Sequence, residues 1–258
     1  MRRLVETLAP GLFLLALLLA WEVGVRLGGV PSFILPPPSM IGHTLMADWP
    51  ILWPALVFTC GVTACALLIS AVLGLALALV MASSRWMERM LYPVAVVLQV
   101  TPVVAIAPLI IIWVQDTRLS LLICAWLVAF FPVVANATAG LRAVEPNLVS
   151  LFALYGASRW QSLIWLRLPS ALPYYLAGLR IAGGLALIGA VVAEFVAGTG
   201  GTRSGLAFVI VESGYRLEMS RMFAALFLIS LAGILIHALT SRLTRLLLRH
   251  WHDTAAGS

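Results

Sequence analysis

Residues 147–169 of this 258-residue chain read NLVSLFALYGASRWQSLIWLRLP. Apolar residues recur there at helical spacing, but Gly156 interrupts the pattern and Pro169 closes it. The pattern predicts two short helices with a hinge near Gly156. The segment is too short and, from Ser158 to Gln161, too polar to span a bilayer. We therefore expect it to lie along a membrane surface with one face toward the cytoplasm.

The sequence on both sides of this segment is strongly apolar. The chain is 62% hydrophobic and 10% charged, with a mean hydropathy of +1.07, and a soluble domain of this length cannot bury so much apolar surface. Lipid is the expected solvent. A membrane span needs about 20 apolar residues, and we expect six spans at residues 8–27, 56–83, 90–114, 119–139, 170–197 and 222–247. The predicted fold is an all-α bundle of transmembrane helices forming one domain, residues 1–258, with a cytoplasmic loop at residues 140–169.

The distribution of arginine predicts the orientation. All sixteen basic residues are arginine, and with the N-terminus inside, ten would be cytoplasmic and five external. Both termini should therefore be cytoplasmic. The external arginines Arg203, Arg216 and Arg221 suit either a small anion or an acidic protein face.

The composition also limits the chemistry. The chain has no lysine, so it contains neither a P-loop nor a Schiff-base nucleophile. Its three cysteines lie in apolar spans without ligand spacing, and no metal-spaced His/Glu cluster or GxSxG motif is present. We expect a non-catalytic protein with no cofactor and no nucleic-acid partner. If its work consumes ATP, another chain must hydrolyse it.

Prolines and ionisable residues within spans are the other candidate functional positions. Pro93, Pro102 and Pro108 interrupt the third span, where a kink beside a pathway and irregular packing are equally compatible with the sequence. Charges inside spans are costly. For Arg180 we favour backbone carbonyl partners over solute contact. For Glu194, a gate or interface and simple snorkelling are equally compatible, and for His237 a hydrogen-bonded packing role is favoured over a proton relay.

The loop resembles the EAA loop of inner-membrane permeases of binding-protein-dependent ATP-binding-cassette importers, EAA-x3-G-x9-I-x-LP. Gly156 is followed at the family spacing by Leu166 and by Leu168-Pro169, whereas Ser150, Leu151 and Phe152 replace the EAA residues, so the acidic residue is missing. Within the family the chain looks most like the nitrate, sulfonate, taurine and pyrimidine-precursor branch. That likeness rests on segments such as 34–39, 101–109, 130–132 and 178–180. This branch usually reads Trp-Phe-Gly after the third helix, where this chain has Trp113-Val114-Gln115.

The resemblance implies a permease of the bacterial inner membrane with a cytoplasmic coupling helix around Gly156–Trp160 that sits in a groove of an ATPase subunit. The residues implied in this coupling loop are Ser150, Leu151, Phe152, Tyr155, Gly156, Ala157, Ser158, Arg159, Trp160, Leu166 and Pro169. The implied partners are that ATPase, an extracytoplasmic substrate-binding protein and a second permease copy. The substrate itself is not legible from the sequence.

Two other functions remain open at this stage. A proton-coupled secondary transporter would need an intramembrane chain of carboxylates or histidines, for which Glu194 and His237 are a thin basis. An integral membrane enzyme would need one of the catalytic motifs that the chain lacks.

Overall fold

The computed structural model describes residues 2–198 and 204–249, and the regular structure within those ranges is helical. In chain order the helices are α1 (Arg2–Leu27), α2 (Pro38–Ala47), α3 (Trp49–Ser83), α4 (Arg85–Val100), α5 (Val103–Val114), α6 (Thr117–Arg142), α7 (Pro146–Leu154), α8 (Arg159–Ser162), α9 (Leu168–Ala197), α10 (Leu206–Tyr215) and α11 (Met219–Leu247). A π-helical turn, Leu163–Arg167, joins α8 to α9. Arg203 lies outside the described residues.

Four of these helical segments are long and apolar enough to cross a membrane: Trp49–Ser83, Thr117–Arg142, Arg159–Ala197 and Met219–Leu247. They cover the second, fourth, fifth and sixth predicted spans. The bent pair α4 and α5 makes a fifth span if its two helices are counted together. Helix α1 covers the first predicted span, but the count of six stays a prediction.

The third span differs from a single kinked helix. Helices α4 and α5 are bent by 97° at a break over Thr101 and Pro102. Pro102 precedes α5, whereas Pro93 and Pro108 lie inside helices that continue past them. At 1.5 Å per residue the twelve residues of α5 extend about 18 Å, too short to cross an apolar core of about 30 Å. The break is thus a change of chain direction.

Two segments between the long apolar helices form short helices. The first is α2, which begins at Pro38. The backbone N–H of Ser39 donates to the Glu22 carboxylate at 2.9 Å, and the same carboxylate accepts from Arg26 at 2.6 Å. A side chain from α1 therefore caps α2. The segment 198–221, predicted as a loop, contains helix α10.

Residue contacts divide the described chain into two compact units: residues 2–58 with 204–230, and residues 59–198 with 231–249. The first unit has a core built on Leu52, Leu206 and Val209. In it Arg221 donates to Asp48 at 2.6 Å and pairs with Glu218.

The second unit is organised around the packing of α6 against α9. Its core is small and aliphatic: Ala66, Ala125, Ala129, Val133, Ala182, Ala186 and Ala190. A Cβ added at Gly178 would lie 2.9 Å from the Pro132 carbonyl oxygen, and one at Gly189 would lie 2.9 Å from the Ala125 Cα. Glycine at these two positions lets the helix backbones approach each other, as in other membrane helix pairs.

The turn between α5 and α6 is made by Gln115 and Asp116. Gln115 is left-handed, with φ 56°, and its N–H bonds to the Ile111 carbonyl. Asp116 caps α6 by accepting from the Leu119 N–H at 2.7 Å. The turn thus has the conformation that glycine would adopt without strain.

Replacing Gln115 with glycine should stabilise the protein. Removing the Cβ relieves about 1–2 kcal/mol of left-handed strain, partly offset by about 0.4–1 kcal/mol of extra freedom in the unfolded chain. We expect a net gain of about 0.5–1 kcal/mol, visible as a higher midpoint of thermal unfolding in detergent. Gln115→Ala keeps the strain and is the control. An equal gain in both variants would contradict the explanation.

Candidate functional site

The cytoplasmic loop of the sequence prediction contains one free-standing short helix, α7. It ends in a complete two-bond cap: the N–H of Gly156 donates to the Ala153 carbonyl and that of Ala157 to the Phe152 carbonyl, both at 3.0 Å. Gly156 is left-handed, with φ 70°. The helix break predicted at Gly156 is therefore present, and its glycine is required by the backbone conformation.

The second half of the loop is continuous with the following span. Ser158 and Gln161 form a reciprocal capping box, with the Ser158 N–H donating to Gln161 Oε1 at 2.7 Å and Ser158 Oγ accepting from the Gln161 N–H at 3.2 Å. Pro169 has no N–H for the carbonyl four residues back, and the chain there takes a π-helical turn in which the Leu168 N–H bonds to Leu163. Pro169 therefore does not close the loop, and the coupling helix expected around Gly156–Trp160 is a turn followed by α8.

Helix α7 has two different faces. Val149, Phe152 and Ala153, at helical spacing, line a groove of the protein. On the other face Leu154 and Tyr155 are 84% and 85% exposed. Ser150 donates to the Pro146 carbonyl at 3.0 Å and carries no charge. The exposed apolar face is the one available to a partner.

The groove beside α7 has a volume of about 1330 Å³. The ends of α3, α4 and α6 and the segment from α7 to the π-helical turn line it. Four arginines and one glutamate are among the lining residues: Arg89, Arg142, Arg159, Arg167 and Glu88. Arg142 forms an ion pair with Glu88. The groove therefore has a formal excess of three positive charges.

Glu194, in α9, is buried. Its residue exposure is 2%, and Oε1 accepts a hydrogen bond from Thr59 Oγ1 at 2.8 Å. Thr63 in turn donates to the Thr59 carbonyl. This arrangement is packing of a carboxylate between α3 and α9, which excludes the alternative of snorkelling to headgroups.

Arg180 lies on the opposite kind of surface. It is exposed on a stripe of α9 that also contains Tyr174, Ile181, Gly184 and Ile188. Within residues 2–198 and 204–249 no hydrogen bond or ion pair reaches its guanidinium, so the expected backbone carbonyl partners are not found. By sequence, Arg180 is about 15 Å into the predicted span and nearer to its start at Ser170 than to its end at Ala197.

His237, in α11, is also exposed, and in the described part of the chain its ring has no hydrogen-bond partner. Only its backbone carbonyl accepts, from Thr240. The expected hydrogen-bonded packing role is therefore not seen. Pro102 and Pro108 are likewise exposed, at and after the break between α4 and α5.

The sequence matches the family described as "Binding-protein-dependent transport system inner membrane component" over residues 70–251. The chain belongs to this family. It is 34% identical to the formylaminopyrimidine transport permease protein ThiX of Halalkalibacterium halodurans, over 96% of this chain and 98% of that one. It is 29% identical to the Escherichia coli taurine transport system permease protein TauC, over 95% and 90%. Other relatives are named as permeases for aliphatic sulfonates and nitrate.

The fold agrees with the family. The chain superposes on an amino acid ABC transporter crystallised with histidines with a TM-score of 0.65 at 18% identity, covering 81% of this chain and 97% of that one. This permease is accordingly a multi-pass protein of the bacterial inner membrane and a subunit of an ATP-binding-cassette transporter. The family implies ATPase and substrate-binding partners.

Three features of this permease escaped sequence reasoning. The first is Thr59 as the partner of Glu194, since the two are 135 positions apart in the sequence. The second is the ion pair of Glu88 with Arg142, and the third is the basic groove. The sequence shows the net charge of the loop, but it does not show that residues of α3 and α4 line the same groove.

Thr59→Val should destabilise this permease, because the buried carboxylate of Glu194 loses a donor. We expect a loss of about 1–3 kcal/mol, measured by thermal unfolding in detergent. Thr63→Val is the matched control, because the Thr63 hydroxyl donates to a backbone carbonyl of α3, that of Thr59, and not to a buried carboxylate. A control variant as unstable as Thr59→Val would show that Glu194 gains nothing specific from the hydroxyl of Thr59.

Proposed function

We propose that this protein forms the translocation path of an ABC importer as two copies of the chain, coupled to a separate ATPase and supplied by an extracytoplasmic binding protein. One observation carries the proposal: a capped, exposed short helix connects the two most closely packed helices of the second unit, α6 and α9. A rigid connection of this kind transmits a force applied to α7 into both helices. ATP binding by the partner chain would supply the free energy for the change.

In this proposal the chain is a single permease domain of residues 1–258, with six spans and both termini cytoplasmic. The first span is α1, and the third is the bent pair α4 and α5. The ten-to-five distribution of arginines supports the orientation, because cytoplasmic loops carry the excess of positive charge. The chain itself performs no catalysis, since the lysine of a P-loop is missing.

We assign the contact with the ATPase to the exposed face of α7 and the turn after it. Leu151, Leu154 and Tyr155 present apolar surface there, and Arg159 and Trp160 follow at the start of α8. Exposed aromatic and arginine side chains are the residue types that dominate protein interfaces. Gly156 would act as the hinge of this unit, and Ser158 would cap its second helix. Leu166, which is buried, and Pro169 would connect the unit to α9.

The solute path would run along the exposed stripe of α9 that contains Arg180. A cation about ten residues inside a span is costly against lipid, so this stripe should face water or a second copy. Pro102 and Pro108 would shape the path through the bend of the third span, and Glu194 would hold α3 to α9 beside it. His237 is a further candidate path residue because its ring is exposed on α11.

A guanidinium in the path favours solutes with anionic or carbonyl oxygens. Both kinds occur among the relatives, one named for a formylaminopyrimidine at 34% identity and one for taurine at 29%. We propose a small oxyanion, a sulfonate such as taurine, or a heterocycle such as a pyrimidine precursor.

The tagged permease should co-purify from detergent-solubilised membranes with a P-loop ATPase. Gly156→Pro should abolish this capture and ATP-dependent uptake, because proline cannot adopt φ 70° and removes an N–H of the helix cap. Gly156→Asn is the matched control, since asparagine tolerates the left-handed region, and it should retain both. The measurement is mass spectrometry of the captured proteins.

Normal uptake by Gly156→Pro would refute the coupling role. A permease that brings down no ATPase yet still transports would instead identify a stand-alone transporter and turn attention to Glu194 and His237.

Arg180→Gln should lower solute uptake by about 10-fold or more, because charge-assisted hydrogen bonds are worth about 1.5–3 kcal/mol. Capture of the ATPase should be unchanged, which separates the path from the coupling unit. Uptake is measured in proteoliposomes with the cognate binding protein, and Arg180→Lys should retain part of it. Full activity of Arg180→Gln would remove Arg180 from the path.

A further inference from the structure

The basic groove beside α7 shares Arg159 and Trp160 with the proposed ATPase contact, but most of its lining belongs to α3, α4, α6 and the inner side of α7. Its apolar floor includes Leu79 and Val80 of α3, Leu141 of α6 and Phe152 of α7. Its lining also contains Arg89, Arg142, Arg159 and Arg167. The groove is therefore amphipathic, with both hydrocarbon and positive charge in its lining.

Three of the four arginines lack an acidic partner. In the part of the chain that the structure describes, no ion pair or side-chain hydrogen bond involves Arg89, Arg159 or Arg167. Arg142 is neutralised by Glu88, the one acidic residue of the lining. Three unpaired guanidinium groups around one groove repel each other, so an anion bound there would relieve that repulsion.

We propose that this groove binds the headgroup of an anionic phospholipid, with a phosphate at the arginines and the acyl chains on the apolar floor. The floor belongs to the ends of α3 and α6, which are long enough to span the membrane. Basic pockets between membrane helices on the cytoplasmic side recognise such lipids. A bound lipid would bridge α3 and α4 to the segment that joins α6 and α9.

The geometry favours a lipid over an ATPase segment as the occupant. Helix α7 turns Val149, Phe152 and Ala153 toward the groove, whereas Leu154 and Tyr155 are not among its lining residues and are almost fully exposed. One face of α7 thus lines the groove, and the other is exposed to a partner. An ATPase on the exposed face would share Arg159 and Trp160 with the groove and leave the apolar residues of its lining to the lipid.

The test counts phospholipids that remain on the purified permease by native mass spectrometry after exchange into phosphatidylglycerol or phosphatidylethanolamine. The wild type should retain phosphatidylglycerol preferentially. Arg89→Gln with Arg167→Gln should weaken retention by about fivefold for each arginine. Arg89→Lys with Arg167→Lys keeps the charge and should retain the lipid, which separates the effect from misfolding.

Arg242→Gln with Arg245→Gln is the matched control, with the same loss of charge on α11, outside the groove lining. Equal retention of both lipids, or equal loss in the control pair, would overturn the proposal. Displacement of the lipid by inorganic phosphate would assign the groove to a free anion and overturn the lipid as its source. Loss of ATPase capture in Arg89→Gln with Arg167→Gln, at unchanged lipid retention, would assign the groove to the ATPase.

Discussion

The close approach of α6 and α9 is the constraint on which the second unit depends. Gly178 and Gly189 have no room for a Cβ, and the residues around them are mainly alanine. In lipid there is no hydrophobic driving force for two helices to associate. The many dispersion interactions between closely packed backbones therefore hold α6 and α9 together. A methyl group added at Gly178 would meet the backbone of α6, which cannot move aside without displacing the helix.

This packing determines what the short helix α7 can do. The residues between Arg142 and Leu168 begin on one member of the pair and end on the other, so both attachment points are fixed relative to each other. The cap at Gly156 and the capping box at Ser158 then leave few free backbone groups in the connection. In the proposed coupling role, a force on α7 would therefore act on α6 and α9 together.

Much of the helical layout could be predicted, because long apolar runs in lipid have few alternatives to helix. The predictions fail where a single local contact determines where a helix begins, ends or bends. Three prolines marked the third span as irregular, yet only Pro102 coincides with a break, and the sequence does not distinguish it from Pro93 or Pro108. The cap of α2 comes from Glu22, sixteen residues before the helix begins. The π-helical turn lets α8 run into α9 past a proline that was expected to separate them.

The sequence identifies the ionisable residues within spans as candidate functional positions but does not predict their roles. The structure distinguishes them by their burial and their hydrogen-bond partners. Glu194 is enclosed, and the Thr59 hydroxyl donates to its carboxyl group, so this group is directed into the protein. Arg180 is open, and its charge is directed outward from α9. Because Glu194 is buried and Arg180 is exposed, the ionisable group that this part of α9 leaves accessible is a cation. In the proposed path, such a group would lower the energy of an anionic solute and raise that of a cationic one.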